Sequence, residues 1–190
     1  MPHIAVNKDL PGIRALLAFS PETAGPIGEL ANALLRDEVG LSPTERELIA
    51  THVSYLNDCV YCHHSHGEIA CYYLGGDRDL VDQVRKDYQH APISDKLKSL
   101  IQIAAKVQQS GKAVTAEDIE NARRHDATDK DIHDTVLIAA AFCMMNRYVD
   151  GLAANTPTDL STYPPRAKQV AERGYGNHIF STSQPVAEKL

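Results

Sequence analysis

The chain has 190 residues, a formal net charge of −6 and 23% charged side chains. This mildly acidic balance argues against nucleic acid and anionic membranes as partners, and four cysteines are too few for a disulfide-stabilised scaffold. The N-terminus lacks a basic segment followed by an apolar one, and the longest apolar run, 136–145, has ten residues. We therefore expect no secretory signal, no membrane span and a cytoplasmic protein.

Apolar residues recur at three- and four-residue spacing along most of the chain, which predicts helices. No segment alternates with period two for long enough to predict a strand, so the expected fold is all-α with seven or eight helices. The clearest start is Ser42, where a capping box is followed by proline at the first helical position. Asp58 is expected to cap the next helix. The predicted helical segments are 20–40, 43–57, 58–75, 79–88, 94–111, a short one from Thr115, and 128–151.

The composition changes after Thr156, where proline and glycine become frequent. We therefore expect a helical domain over residues 1–156 and a C-terminal tail over 157–190, with at most one short helix near 166–172. The tail is interpreted either as a loosely held segment or as an arm that packs on a neighbouring subunit.

The segment 47–66 carries most of the chemistry, because Cys59 and Cys62 lie three residues apart at the start of a predicted helix. Four interpretations are open: covalent haem attachment, a zinc site, two packed cysteines, or a redox-active dithiol. Haem attachment requires export, and one short segment cannot easily surround a tetrahedral zinc ion. Residues three apart share a helix face, and the positive helix N-terminus stabilises a thiolate. These points favour the dithiol.

His66 follows Cys62 by four residues, so it shares that face and can act as its base. The helices before and after the turn at 57–58 are expected to pack antiparallel. Glu47 and His66 then lie at levels about 3 Å apart along the axes, which makes Glu47 the candidate group that orients the imidazole.

The spacing of Glu47, Cys59, Cys62 and His66 resembles the alkylhydroperoxidase D-like family, which is related to carboxymuconolactone decarboxylases. The lead-in segment 41–49 and segments 114–118 and 146–151 add to the resemblance, which covers roughly residues 10–155. It implies an all-α homo-oligomer, a dimer or a hexamer, that reduces hydroperoxides without haem, flavin, metal or other cofactor. By position, Cys62 matches the cysteine that attacks peroxide and Cys59 the one that resolves it. His66 and Glu47 match the proton relay, and an external dithiol restores the pair.

One position departs from the family's best-known member, which has a histidine between the cysteines where this chain has Tyr61. A phenol is a poor base at neutral pH, so this difference is expected to weaken the relay unless His63, His64 or His52 substitutes. The leading hypothesis is a thiol peroxidase that acts on organic or hydrogen peroxide. The alternatives are a disulfide reductase or redox relay, a zinc- or redox-sensing module, and a decarboxylase.

Overall fold

The computed structural model describes residues 1–175, and within this range the chain is all-helical. No strand occurs in these residues, and none of their helices is long and apolar enough to cross a membrane. The expected all-α fold is therefore confirmed. The α-helices are α1 (Ile13–Phe19), α2 (Pro21–Leu35), α3 (Pro43–Leu56), α4 (Val60–Tyr73), α5 (Arg78–Asp87), α6 (Asp95–Gln109), α7 (Ala116–Arg124), α8 (Asp129–Gly151) and α9 (Tyr163–Arg173).

Most helix starts are set by local sequence. Three helices begin with a capping box, at Ser42, Thr115 and Thr128. In each, the N-cap hydroxyl accepts a hydrogen bond from the N3 backbone N–H, and the N3 carboxylate accepts one from the N-cap backbone N–H. Two sequence expectations are wrong. Helix α1 was not predicted, so the described residues hold nine α-helices rather than seven or eight. Asp58 does not cap α4: it takes a left-handed φ of 57° in the turn, and Cys59 occupies the N-cap position.

Helix α3 lies in the centre of the fold, and every residue from Arg46 to Ser54 is buried. Its apolar side chains pack with those of α6 and α8 to form the main core. The Arg46 guanidinium is fully buried. It donates hydrogen bonds of 2.8 Å to the Asp134 carboxylate of α8 and 2.9 Å to the Leu34 carbonyl. These bonds fix α3 against α8 and α2, because a buried charge needs partners that replace water.

Helix α4 returns antiparallel to α3 and is covered on its other side by α9. Ile69 of α4 contacts Ala167, Val170 and Ala171 of α9 in a small apolar cluster. Residues 163–173 thus form a helix that packs on their own chain, slightly longer than the one expected near 166–172. Residues 176–190 of the expected tail lie outside the described residues, and both the boundary at residue 156 and the subunit-contacting arm stay predictions.

Candidate active site

The two cysteines lie at the start of α4, with Cys59 at the N-cap and Cys62 one turn later. The two sulfurs are not joined in a disulfide, and both cysteines are almost completely buried, with exposed fractions of 0% and 4%. A hydrogen bond between the two sulfurs is the main cause that raises the pKa of the Cys59 thiol, and burial adds to it. Cys59 therefore keeps its proton at neutral pH.

Asp150, near the end of α8, is a further polar neighbour of Cys59. Desolvation raises the pKa of the Asp150 carboxyl, while a hydrogen bond from the Cys59 thiol opposes that shift. The Asp150 carboxyl group is therefore a hydrogen-bond acceptor for the Cys59 thiol. In the sequence, Asp150 belongs to segment 146–151 of the family resemblance, but its position in the chain alone does not place it beside Cys59.

Glu47 and His66 are in direct contact, as the antiparallel packing of α3 and α4 predicted. The His66 Nδ1 atom lies 2.8 Å from Oε2 of Glu47, which is buried with an exposed fraction of 1%. A carboxylate only accepts hydrogen bonds, so Nδ1 carries the proton and Nε2 stays available as a proton acceptor. The Phe142 ring packs edge-on against the imidazole with centroids 4.6 Å apart, which further restricts its orientation.

Tyr175 completes this pair and was missed by the sequence analysis. Its hydroxyl donates to Oε1 of Glu47 at 2.5 Å and lies 3.3 Å from Nδ1 of His66. The phenol ring also stacks on the imidazole, with an interplanar angle of 20°. Burial and the neighbouring carboxylate raise the pKa of Tyr175 well above its ordinary value, so the phenol acts as a fixed donor.

The end of α9 determines where Tyr175 lies. Arg36 donates to the carbonyls of Val170 and Ala171 at 2.8 and 2.9 Å, and so caps the last turn of the helix. Gly174 then takes a left-handed φ of 87°, which favours glycine. The Tyr175 backbone N–H donates to Oδ1 of Asn32 at 2.8 Å, and the side chain turns toward Glu47.

Cys62 and His66 both line one cavity of about 140 Å³, which is enclosed mainly by aliphatic and aromatic side chains. The cavity reaches from α1 and α2 to α9, so the N-terminal helices and the C-terminal segment form its walls. Its polar groups are few: besides the thiol and the imidazole, they include Tyr175 and two arginines, Arg14 and Arg166. A small, largely apolar molecule therefore fits beside Cys62.

Tyr61, the residue between the cysteines, forms part of the cavity wall. Burial raises the pKa of Tyr61, so it cannot serve as a base at neutral pH. Two of the three histidines considered as substitutes face α5: Nδ1 of His63 is 3.0 Å from the Arg85 guanidinium, and Nδ1 of His52 is 3.0 Å from the Arg85 carbonyl. The third, His64, lies against the Tyr163 ring, with centroids 5.5 Å apart. Of the histidines within residues 1–175, His66 alone lines the cavity.

Within residues 1–175, no three histidine, cysteine or acidic side chains converge to hold a metal ion. This arrangement gives no support to the zinc interpretation of the cysteine pair. Cys71 is buried in the main core, as expected of a packed cysteine. The Asn146 amide of α8 donates a hydrogen bond of 3.1 Å to the Ser54 hydroxyl of α3, which joins the two helices.

Comparison with known proteins adds family information to this geometry. The carboxymuconolactone decarboxylase family model matches residues 21–85. A solved uncharacterized peroxidase-related protein from Silicibacter sp. TM1040 is 30% identical, with a TM-score of 0.72 over 81% of this chain and 78% of its own. A solved alkylhydroperoxidase AhpD core, an uncharacterized peroxidase-related protein from Ralstonia eutropha JMP134, is 29% identical, with a TM-score of 0.72 over 80% and 79% of the two chains.

A protein of unknown function from Agrobacterium tumefaciens shares the fold at 18% identity, with a TM-score of 0.65 over 84% of this chain and all of its own. No curated protein gives a significant match. The identity over most of both chains in the Silicibacter comparison, together with the family-model match, decides the assignment. The chain belongs to the carboxymuconolactone decarboxylase family, in its alkylhydroperoxidase D-like, peroxidase-related branch.

Proposed function

We propose that this protein is a cofactor-free thiol peroxidase that reduces organic or hydrogen peroxide with the Cys59–Cys62 dithiol. One observation carries the proposal: Cys62, one of a buried pair of free cysteines, borders a cavity that also contains an imidazole held by a carboxylate. Paired thiols beside a base suit peroxide reduction, whereas a decarboxylation has no obvious use for a second thiol.

Cys62 is the proposed attacking residue, because it lines the cavity and His66 follows it by one helical turn. His66 accepts the thiol proton through Nε2, while Glu47 stabilises the resulting imidazolium. The thiolate attacks one peroxide oxygen and the O–O bond breaks. Cys62 becomes a sulfenic acid, and the departing alkoxide takes the proton from His66 to leave as an alcohol.

Cys59 is the proposed resolving residue, since its raised pKa keeps it a thiol until the sulfenic acid forms. The Cys59 sulfur then attacks the Cys62 sulfur, and one water molecule leaves as the disulfide forms. Two electrons from an external dithiol restore both thiols, and that donor becomes a disulfide.

Burial of both sulfurs supports a small peroxide as substrate over a large protein disulfide. A general disulfide reductase would need the sulfurs of this pair to reach a partner's surface, and their exposed fractions are 0% and 4%. The external donor, the homo-oligomeric assembly and the cytoplasmic location remain part of the proposal.

The first test is a thiol count on the fully reduced, full-length protein before and after one equivalent of cumene hydroperoxide. Of the four cysteines, two should disappear together. Cys62→Ser should abolish the rapid reaction, whereas Cys59→Ser should react once and accumulate a sulfenic acid that dimedone traps.

Cys143→Ser is the matched control, because this partly buried cysteine lies outside the cavity lining. It should still lose two thiols at the rate of the unmodified chain. Loss of one thiol, or equal rates for the Cys62→Ser variant and the control, would disprove the dithiol mechanism. Steady turnover with an added dithiol donor separates an enzyme from a protein that is oxidised once.

A further inference from the structure

The cavity beside Cys62 is apolar except for a few groups, and two of these are guanidiniums that come from opposite ends of the chain. Arg14 belongs to α1 and Arg166 to α9, and both line the cavity. Positive charge on the wall of an apolar pocket is unfavourable unless a partner compensates it. The partners of these two arginines therefore bear on what the cavity binds.

Two other arginines with largely buried side chains have carboxylate partners. Arg46 pairs with Asp134 at 2.8 Å, and Arg85 pairs with Asp82 at 2.7 Å. Arg14 forms no such ion pair with residues 1–175, and its Nε, like that of Arg85, is buried there without a hydrogen-bond partner. A buried donor without a partner is costly, and a native protein usually supplies one in the form of water, an ion or another bound group.

The positive charge of Arg166, like that of Arg14, has no carboxylate beside it among residues 1–175. One of its terminal nitrogens donates to the neutral amide of Gln169 at 2.7 Å. Its charged neighbours include the like charge of Arg14, and burial followed by this repulsion lowers the pKa of Arg166. A carboxylate is the group that two adjacent guanidiniums bind best, because it accepts paired N–H donors and neutralises their repulsion.

We infer that the cavity takes an amphipathic hydroperoxide whose carboxylate binds Arg14 and Arg166 while its apolar body fills the space toward Cys62. This inference rests on the proposed peroxidase function, because it names the substrate class of the same site. The cavity volume of about 140 Å³ is similar to that of cavities that hold a benzene ring, which indicates an apolar body of about six to eight carbons.

The carboxylate takes no part in the reaction itself. As above, the Cys62 sulfur gains one peroxide oxygen as the O–O bond breaks, and the remaining oxygen leaves as an alcohol on the substrate. The sulfur gives up two electrons, which reduce the O–O bond of the substrate, and Cys62 becomes a sulfenic acid. The anchored carboxylate limits how the chain can lie in the cavity, and so increases the fraction of bound molecules that present the peroxide to sulfur.

The anion site is tested first without peroxide, by calorimetric titration of the reduced full-length protein with octanoate and with octanol. Octanoate should bind more tightly than octanol, and Arg14→Gln or Arg166→Gln should each weaken octanoate binding about tenfold or more. Arg124→Gln is the matched control, since it removes an exposed arginine of α7. Equal loss in the control, or equal affinity for octanoate and octanol, would overturn the inference.

The second measurement compares thiol oxidation by 8-hydroperoxyoctanoate and by its methyl ester. The unmodified protein should react faster with the acid than with the ester, and Arg166→Gln should remove this preference, so that the two compounds oxidise the variant at similar rates. If acid and ester react at one rate in every variant, the peroxidase proposal stands and the carboxylate site is rejected. If neither compound oxidises the protein but octanoate binding depends on both arginines, the peroxidase proposal fails and the anion site stands.

Discussion

Removing the Tyr175 hydroxyl tests whether the proposed proton relay depends on a residue from the C-terminal part of the chain. Tyr175→Phe leaves the ring in place to stack on His66 and deletes the donor that lies 2.5 Å from Oε1 of Glu47. The carboxylate is buried, so water does not readily replace that donor. A hydrogen bond to a charged group contributes about 1.5–3 kcal/mol, and the free energy of unfolding should fall by about that amount.

The same deletion should slow the oxidation of Cys62. Without the phenol, Glu47 is held by fewer bonds and orients the imidazole less firmly. If about 1.4 kcal/mol of this loss appears in the transition state, the rate of thiol oxidation falls about tenfold. Stopped-flow measurement of thiol loss with excess cumene hydroperoxide gives this rate, and urea unfolding gives the change in stability.

A purely structural role for Tyr175 would reduce stability without changing the imidazole. The discriminating measurement is therefore the ¹⁵N NMR signal of His66, which reports the tautomer and the hydrogen bond at Nδ1. Tyr72→Phe is the matched control, because the exposed Tyr72 hydroxyl also donates to a carboxylate, that of Glu172 at 3.1 Å, and lies outside the cavity lining. Unchanged oxidation rate and unchanged His66 signals in Tyr175→Phe would refute the relay role.

Three further variants follow from the structure. In Gly174→Ala, the new Cβ would lie 2.7 Å from Oδ1 of Asn32 at a φ of 87°, so urea unfolding should show a loss of at least about 1 kcal/mol, together with slower thiol oxidation. Burial lowers the pKa of His63 from 6.5 to about 4, so the folded state binds protons less readily than the unfolded state between these values. The free energy of unfolding should therefore fall by about 1 kcal/mol from pH 7 to pH 5. His63→Gln should flatten this pH dependence, whereas the control His90→Gln, at an exposed position, should retain it. Glu47→Gln keeps the shape but removes the charge, and should slow thiol oxidation at least about tenfold; an unchanged rate would exclude Glu47 from the relay.

The contact between Glu47 and His66 could be predicted because it lies within one helical hairpin. Only the turn at residues 57–58 and the rise per residue were needed to bring the two side chains level. The exact start of α4 could not be predicted in the same way, since Asp58 was expected as a cap. The tight turn requires a left-handed residue, and Asp58 supplies it while Cys59 becomes the N-cap. This shift keeps both sulfurs within the first turn.

Tyr175 was beyond prediction because it lies 109 residues from His66, and no periodicity connects the two. The composition of the tail pointed to loose structure, whereas packing of α9 on Ile69 holds the segment in place. A weak signal was present in Gly174, since a glycine directly after a helix favours the left-handed turn that redirects the chain. Helix α1 was missed for a related reason: seven residues after a proline–glycine pair give too short a pattern, and tertiary packing stabilises it.

The same C-terminal segment serves both halves of the proposed chemistry. Helix α9 carries Arg166 on the cavity wall, and one residue beyond its glycine stop lies Tyr175 against Glu47. The packing of α9 against α4 therefore positions both Arg166 and Tyr175. A dithiol on α4 alone would react with any oxidant that reached it, whereas this arrangement ties the orientation of His66 to the segment that encloses the substrate.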